Sequence, residues 1–116
     1  GNNHPDVAAT LENMGITYMS QGKYLQALEL CEECLRIKRS AFGNNHPDVA
    51  TTLNNIGNIY QKQGKLSESL VQYEESLRIG RSILGDDHPD VAATLNNIGV
   101  IYQHQGKFAE ALVQFE

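Results

Sequence analysis

The stretch His46-Pro47-Asp48-Val49-Ala50-Thr51-Thr52-Leu53-Asn54-Asn55-Ile56-Gly57-Asn58-Ile59-Tyr60-Gln61-Lys62-Gln63-Gly64-Lys65 decides the fold, because a near copy of it begins at His4 and another at His88, each 42 residues away. A fixed period in this range marks stacked repeats, in which no unit buries its apolar face without a neighbour. The chain divides into residues 1–42, 43–84 and 85–116, the third unit stopping ten residues short of the period. Units one and two agree at 24 of 42 positions and units two and three at 23 of 32, so one stacking geometry should recur.

Each unit reads as two helices. His-Pro-Asp opens the first: proline is tolerated at the first helical position, where its missing N–H had no partner, and Asp6 in the first turn suits the helix dipole. Either Asn3 or His4 could be the cap, and Asn3 to Asp6 has the spacing of a capping box. Val7, Leu11, Met14 and Tyr18 then recur at helical spacing, joined by Ala8 and Gly15, and Gly22 suits a left-handed closing residue. The second helix carries Tyr24, Ala27, Leu28, Cys31, Cys34, Leu35 and Ile37 on one stripe and stops at Gly43. So short a link makes the pair antiparallel. Unit two repeats this with Leu66, Leu70, Tyr73 and Leu77, and unit three with Phe108, Ala111, Leu112 and Phe115 after a turn expected at Gln105-Gly106-Lys107. The fold class is all-α, built of αα-hairpin repeats.

Composition excludes several functions. The 116 residues are 41% apolar and 20% charged, a globular balance. The formal charge of -5 is unevenly shared: Lys/Arg against Asp/Glu run four to five in unit one, four to four in unit two and one to five in unit three. The missing end of unit three corresponds to the basic stretches Arg36–Arg39 and Arg78–Arg81, so the acidity partly reflects where the sequence stops, as expected of a piece cut from a longer array. No basic patch exists to neutralise phosphates, which argues against nucleic acid. No apolar run has the length of a membrane span, no signal peptide opens the chain, and two cysteines three residues apart form no disulfide framework. A cytoplasmic setting is expected.

Leu11, Met14, Gly15, Tyr18, Ala27 and the slot held by Cys31, Tyr73 or Phe115 resemble the tetratricopeptide repeat signature of large, aliphatic, Gly, Tyr, small and aromatic residues. The 42-residue period, with His-Pro-Asp-Val before the first helix and Gln-Gly-Lys between helices, is similar to the repeats of kinesin light chain and related scaffolds. The resemblance implies a right-handed superhelix whose concave groove, lined by the first helices, binds extended peptides.

Catalytic and metal readings are weak. His-Pro-Asp also occurs in J-domains, but three periodic copies at helix starts favour a structural role. Cys31-Glu-Glu-Cys34 has half a zinc spacing with no second half, and both cysteines fall on the core stripe. Successive histidines of the His4, His46, His88 series lie a repeat apart and cannot share a metal. No nucleophile, base and orienting acid come together, so no enzyme and no cofactor is expected.

A second stripe on the first helices points away from the core, at about 100° per residue. It holds Ala9, Glu12, Asn13, Ile16 and Ser20 in unit one, Thr51, Asn54, Asn55, Asn58 and Lys62 in unit two, and Ala93, Asn96, Asn97, Val100 and His104 in unit three. Asparagine is a poor interior helix residue, yet Asn13, Asn55 and Asn97 recur at one position. A carboxamide donates to a carbonyl and accepts from an N–H together, which suits a peptide backbone. In the resembling family this asparagine grips ligand backbone. The predicted peptide site is therefore Glu12, Asn13, Ile16, Asn54, Asn55, Asn58, Lys62, Asn96, Asn97, Val100 and His104. Ile16 and Val100 flanking Asn58 favour apolar side chains around a polar one, and Lys62 adds a mild preference for acid. With Lys62 the sole Lys or Arg of the stripe, a clamp for acidic chaperone tails is disfavoured. The expected partner is a protein or peptide, and the alternative is a spacer or self-assembly module with an empty groove. Self-association is expected at exposed repeat ends, with Val91 and Leu95 left open in unit three.

Overall fold

The computed structural model describes residues 4–115, with side chains through Lys107. Five helices follow one another: α1 Pro5–Ser20, α2 Tyr24–Phe42, α3 Pro47–Lys62, α4 Leu66–Leu84 and α5 Pro89–Phe115. Among the described residues there is no strand.

The helix starts are chemically identical. His4 Nδ1 accepts from the Asp6 N–H at 3.0 Å, His46 Nδ1 from Asp48 at 3.0 Å and His88 Nδ1 from Asp90 at 3.1 Å, so histidine is the capping residue in all three units. The alternative cap, Asn3, lies outside the described residues. The hairpins turn at Gly22 and Gly64, whose φ values of 78° and 77° lie in the left-handed region that a side chain disfavours.

Hairpin contacts are made through the mid-helix glycines. A Cβ on Gly15 would stand 2.7 Å from Cys31 Sγ, and one on Gly57 would stand 2.6 Å from the Tyr73 ring. The glycine lets α1 approach α2, and α3 approach α4, closely. Each hairpin then packs on the next, α2 against α3 and α4 against α5. Tyr73, with no exposure at all, anchors a cluster with Ile98 and Ile101 of the following helix.

The third unit departs from expectation. No turn forms at Gln105-Gly106-Lys107; α5 is one helix of 27 residues, and Gly106 does not take the left-handed conformation. A hairpin forgoes a turn of helical bonds and must recover them by packing a second helix, and only nine residues lie between Gly106 and the end of α5, against the 19 of α2 and α4. The side chains of Phe108, Ala111, Leu112 and Phe115 lie outside the described ones. Val91 also departs: it is 1% exposed, because it packs beside Gly80 of α4, whereas Leu95 is open as expected.

Candidate functional site

The first helix of each unit has three faces. In α3 one packs on α4 of its own hairpin and one on α2 of the preceding unit, whereas among the described residues α1 makes only the first kind of contact, with α2, and α5 only the second, with α4. The third carries the asparagines.

On this third face two clefts lie across the first helices. One, about 330 Å³, is lined by Met19 of α1, Asn58, Gln61 and Lys62 of α3, and His104 of α5. The other, about 160 Å³, lies between α3 and α5, with Thr51, Asn54, Asn55, Asp90 and Ala93 on its walls and Gly80 of α4 among its lining. Asn97 Nδ2 donates to Asn54 Oδ1 at 3.3 Å, which links the two helices at the cleft. The half-buried Asn55 lines the same cleft. Its carboxamide has no hydrogen-bond partner among the described residues. Lys62 and His104 are exposed, Val100 is half-buried and Ile16 is 37% exposed. Asn96 is exposed beside Asn97, and Asn13 lines a separate recess on α1 with Met14 and Tyr18. The structure thus brings the unit-two and unit-three members together and leaves Asn13 apart from them.

Two predicted site residues are otherwise engaged. The side chain of Glu12 is 13% exposed and turned inward, its Oε1 accepting from Lys38 Nζ at 3.0 Å and its Oε2 from Thr52 Oγ1 at 2.5 Å. Lys38 Nζ has three protons and three acceptors: Glu12, Thr52 Oγ1 at 2.9 Å and the Asp48 carbonyl at 3.3 Å. The cluster is therefore satisfied where α1, α2 and α3 meet, and Glu12 is a structural ion, withdrawn from the cleft surface. Asn58 takes the Tyr73 hydroxyl on Oδ1, with Gln61 Oε1 2.9 Å from the same hydroxyl. The rim of the larger cleft is thereby fixed by the residue at the centre of the core.

The buried Lys38 was missed in the sequence, where it looked like one more basic residue near a helix end. The signal lay in paired departures: Glu12 and Lys38 become Asn54 and Gly80 in the next unit, both changing together. Cys34 borders this cluster, with Sγ 3.7 Å from Thr52 Oγ1 and 3.9 Å from Glu12 Oε2. Burial, then the Glu12 and Cys34 charges, push the Cys31 thiol up to about 12, which makes thiolate scarce near neutrality. Among the described residues no group of three His, Cys, Asp or Glu could hold a metal ion, and no described helix is long and apolar enough to cross a membrane.

The sequence matches the tetratricopeptide repeat family over residues 6–82 and again over 49–116. The chain belongs to that family. Its helical stack is similar to solved tetratricopeptide-like structures. A crystal structure of BtubC (BKLC) from P. vanneervenii superposes with a TM-score of 0.80 at 26% identity, over 88% of this chain and 41% of that one. A Podosopora anserina putative kinesin light chain with nearly identical TPR-like repeats gives 0.81 at 24% identity, over 96% and 53%. A singly substituted form of that Podosopora anserina protein gives 0.76 at 24% identity, over 97% and 53%. None of the curated proteins matches the sequence. This tetratricopeptide chain spans about half or less of the length of these structural neighbours.

Proposed function

We propose that this tetratricopeptide chain is a non-catalytic interaction module that holds an extended peptide across the first helices of units two and three. The observation that carries the reading is the cleft between α3 and α5, where Asn55 offers an unpaired carboxamide beside the linked Asn54 and Asn97. A peptide unit lying there receives a donor and an acceptor from one side chain. The neighbouring cleft with Lys62 and His104 favours an acidic side chain on the same peptide, and the apolar edge of Met19 favours an aliphatic one. The contribution of Lys62 is screened by salt, so backbone capture supplies the affinity and charge the preference.

The test is selection of binders from a displayed random-peptide library, followed by titration of the selected peptide against wild type and variants. Asn55→Ala should leave the helical melt unchanged, because the side chain makes no internal hydrogen bond and alanine has the higher helix propensity. It should weaken binding by about 1–3 kcal/mol, from the bonds lost and the peptide groups left unpaired. Asn13→Ala, at a site remote from both clefts, should change little. Equal affinity in wild type and Asn55→Ala, for a peptide displaced by mutation of Lys62 or Val100, removes the asparagine from the mechanism. A peptide indifferent to all of these binds elsewhere.

A further inference from the structure

At the register of Tyr73, unit one has Cys31 and unit three Phe115, so only the second unit carries a hydroxyl there. The positions of Asn58 and Gln61 change with it: they are Ile16 and Met19 in unit one, and Val100 and Gln103 in unit three. The hydroxyl and Asn58 thus occur together in one unit and are both absent from the other two. In the structure they meet. Asn58 Oδ1 and Gln61 Oε1 both face the Tyr73 hydroxyl, Gln61 at 2.9 Å.

Tyr73 has no room to adjust. Its side chain is fully buried, and its ring is wedged against Gly57, where an added Cβ would stand 2.6 Å from Cε1. Burial pushes the pKa of the phenol above its ordinary value, so the hydroxyl keeps its proton at neutral pH. That proton is single. One amide oxygen takes it, and the other amide must turn its NH2 toward the hydroxyl oxygen, because a hydroxyl has one donor and two lone pairs. Whichever of the two turns, the result is the same. The amide that accepts leaves its NH2 free, and the amide that donates leaves its carbonyl free. Asn58 and Gln61 lie three residues apart on one face of α3, are half-buried, and line the cleft of about 330 Å³ with Met19, Lys62 and His104. Beyond Tyr73, neither has a hydrogen-bond partner among the described residues.

We propose that Asn58 and Gln61, oriented by the Tyr73 hydroxyl, form a subsite for a primary carboxamide, the side chain of an asparagine or glutamine in the bound partner. This rests on the reading that a peptide crosses α3 and α5, and it names one of that peptide's side chains. A primary carboxamide gives its carbonyl to the free NH2 and its own NH2 to the free carbonyl. A carboxylate of the same size offers acceptors only, so it leaves the carbonyl of the cleft unpaired and sets oxygen against oxygen. An aliphatic side chain leaves both amides unpaired. Lys62 and His104 are exposed and attract acid at the rim through solvent and salt, whereas the half-buried pair in the wall reads the group that enters. Tyr73 is a positioning residue: it touches no ligand and acts by fixing how the two amides turn.

The side-chain NH2 resonances of the isotope-labelled full chain report on both amides directly. The probes are the N-acetyl methylamides of glutamine, glutamate and alanine, which share one backbone and differ in the side chain. The Asn58 and Gln61 signals should move with the glutamine probe at about tenfold lower concentration than with the glutamate probe, and least with the alanine probe. Signals that stay still with the glutamine probe overturn the subsite. An equal or stronger response to glutamate also overturns it, because the cations at the rim would then decide, and an equal response to alanine overturns it in favour of backbone amides. Tyr73→Phe keeps the ring and should bring glutamine and glutamate close to parity. Equal weakening of both probes, with the preference kept, removes Tyr73 from the proposal. Asn58→Val, with the residue type of Val100, should abolish the preference without touching the buried ring, and circular dichroism checks that both variants are folded. Peptide selection separates this subsite from the wider reading. Probes that bind while the library yields no peptide keep the subsite and remove the peptide groove, whereas selected peptides whose Asn and Gln positions all tolerate Glu and Ala without loss keep the groove and remove the subsite.

Discussion

The two contacts between successive repeats occupy the same place and are built from different chemistry. Where α2 meets α3, a lysine 7% exposed satisfies a carboxylate from α1, a hydroxyl from α3 and a backbone carbonyl. Where α4 meets α5, the position of Lys38 is Gly80, and Val91 closes over it with Cγ2 3.2 Å from where a Cβ would stand. The small hydroxyls of α4 bond instead within their own hairpin, Ser76 Oγ donating to the Ala50 carbonyl of α3 at 2.8 Å and Ser69 Oγ to the Gly57 carbonyl of α3 at 2.7 Å. The register common to the repeats thus fixes where helices cross and leaves open what fills the crossing. A charge cluster tolerates only one arrangement of its three helices, whereas an apolar contact with a glycine depends mainly on volume.

The largest effect should come from breaking the charged contact on one side only. Lys38→Ala leaves the Glu12 carboxylate enclosed with only the Thr52 hydroxyl and the weak Cys34 thiol as donors, and should destabilise the fold by about 3–5 kcal/mol. Lys38→Met with Glu12→Gln removes both charges at similar volume and should recover most of that loss. Urea unfolding of the two variants measures it. A single variant within about 1 kcal/mol of wild type would mean that water reaches the carboxylate freely and that the two contacts are energetically alike.

How much of this was legible follows from the same comparison. Periodicity located four helices closely, together with the left-handed Gly22, the stop at Gly43 and the His-Pro-Asp starts, because each depends on residues adjacent in sequence. The turn at Gly106 was misread for a reason that is not local. Gln-Gly-Lys is identical in all three units, and whether it bends depends on the packing of the helix that follows. Val91 was expected to be open and is buried, because a stripe of apolar positions does not say which of two flanking helices covers each member. On the candidate site, the asparagine face was legible from its angular separation from the core. Glu12 was not, since its inward turn is set by a lysine 26 residues away in sequence.

Equal sequence in unequal surroundings also gives a matched pair of glycine substitutions. Gly57→Ala directs a methyl group into the Tyr73 ring, 2.6 Å from Cε1, and Tyr73 is fully buried with its hydroxyl held by Asn58 and cannot yield. The expected loss is about 1–3 kcal/mol from overpacking. Gly99→Ala, at the same register in α5, meets nothing within 4 Å among the described residues and should stabilise by about 0.5–1 kcal/mol through helix propensity alone. Thermal melts with opposite signs are the expected outcome. Destabilisation by Gly99→Ala would show that the helix following Gly106 folds back onto α5 in solution.

The smallest effect should come from an exposed pair on α4 that reaches the turn before α3. Arg78 donates to Glu75 one turn earlier on α4 and to Asn45 Oδ1 at 2.9 Å in the turn before α3, and its side chain is 54% exposed. The Arg78 hydrogen bond holds the Glu75 carboxyl below its ordinary value of 4.5, so the stabilisation is present at neutral pH and is lost as pH falls through the lower, folded value. Because both groups are well solvated, Glu75→Gln should change stability at pH 7 by no more than about 0.5–1 kcal/mol, and less in high salt. The difference between Glu75→Gln and wild type should also shrink as the pH is lowered below 4.5, because protonation removes the charge in wild type as well. If Glu75→Gln proved as disruptive as Lys38→Ala, the turn before α3 would be anchored through Arg78 and Asn45 as firmly as the α2–α3 contact is through Lys38.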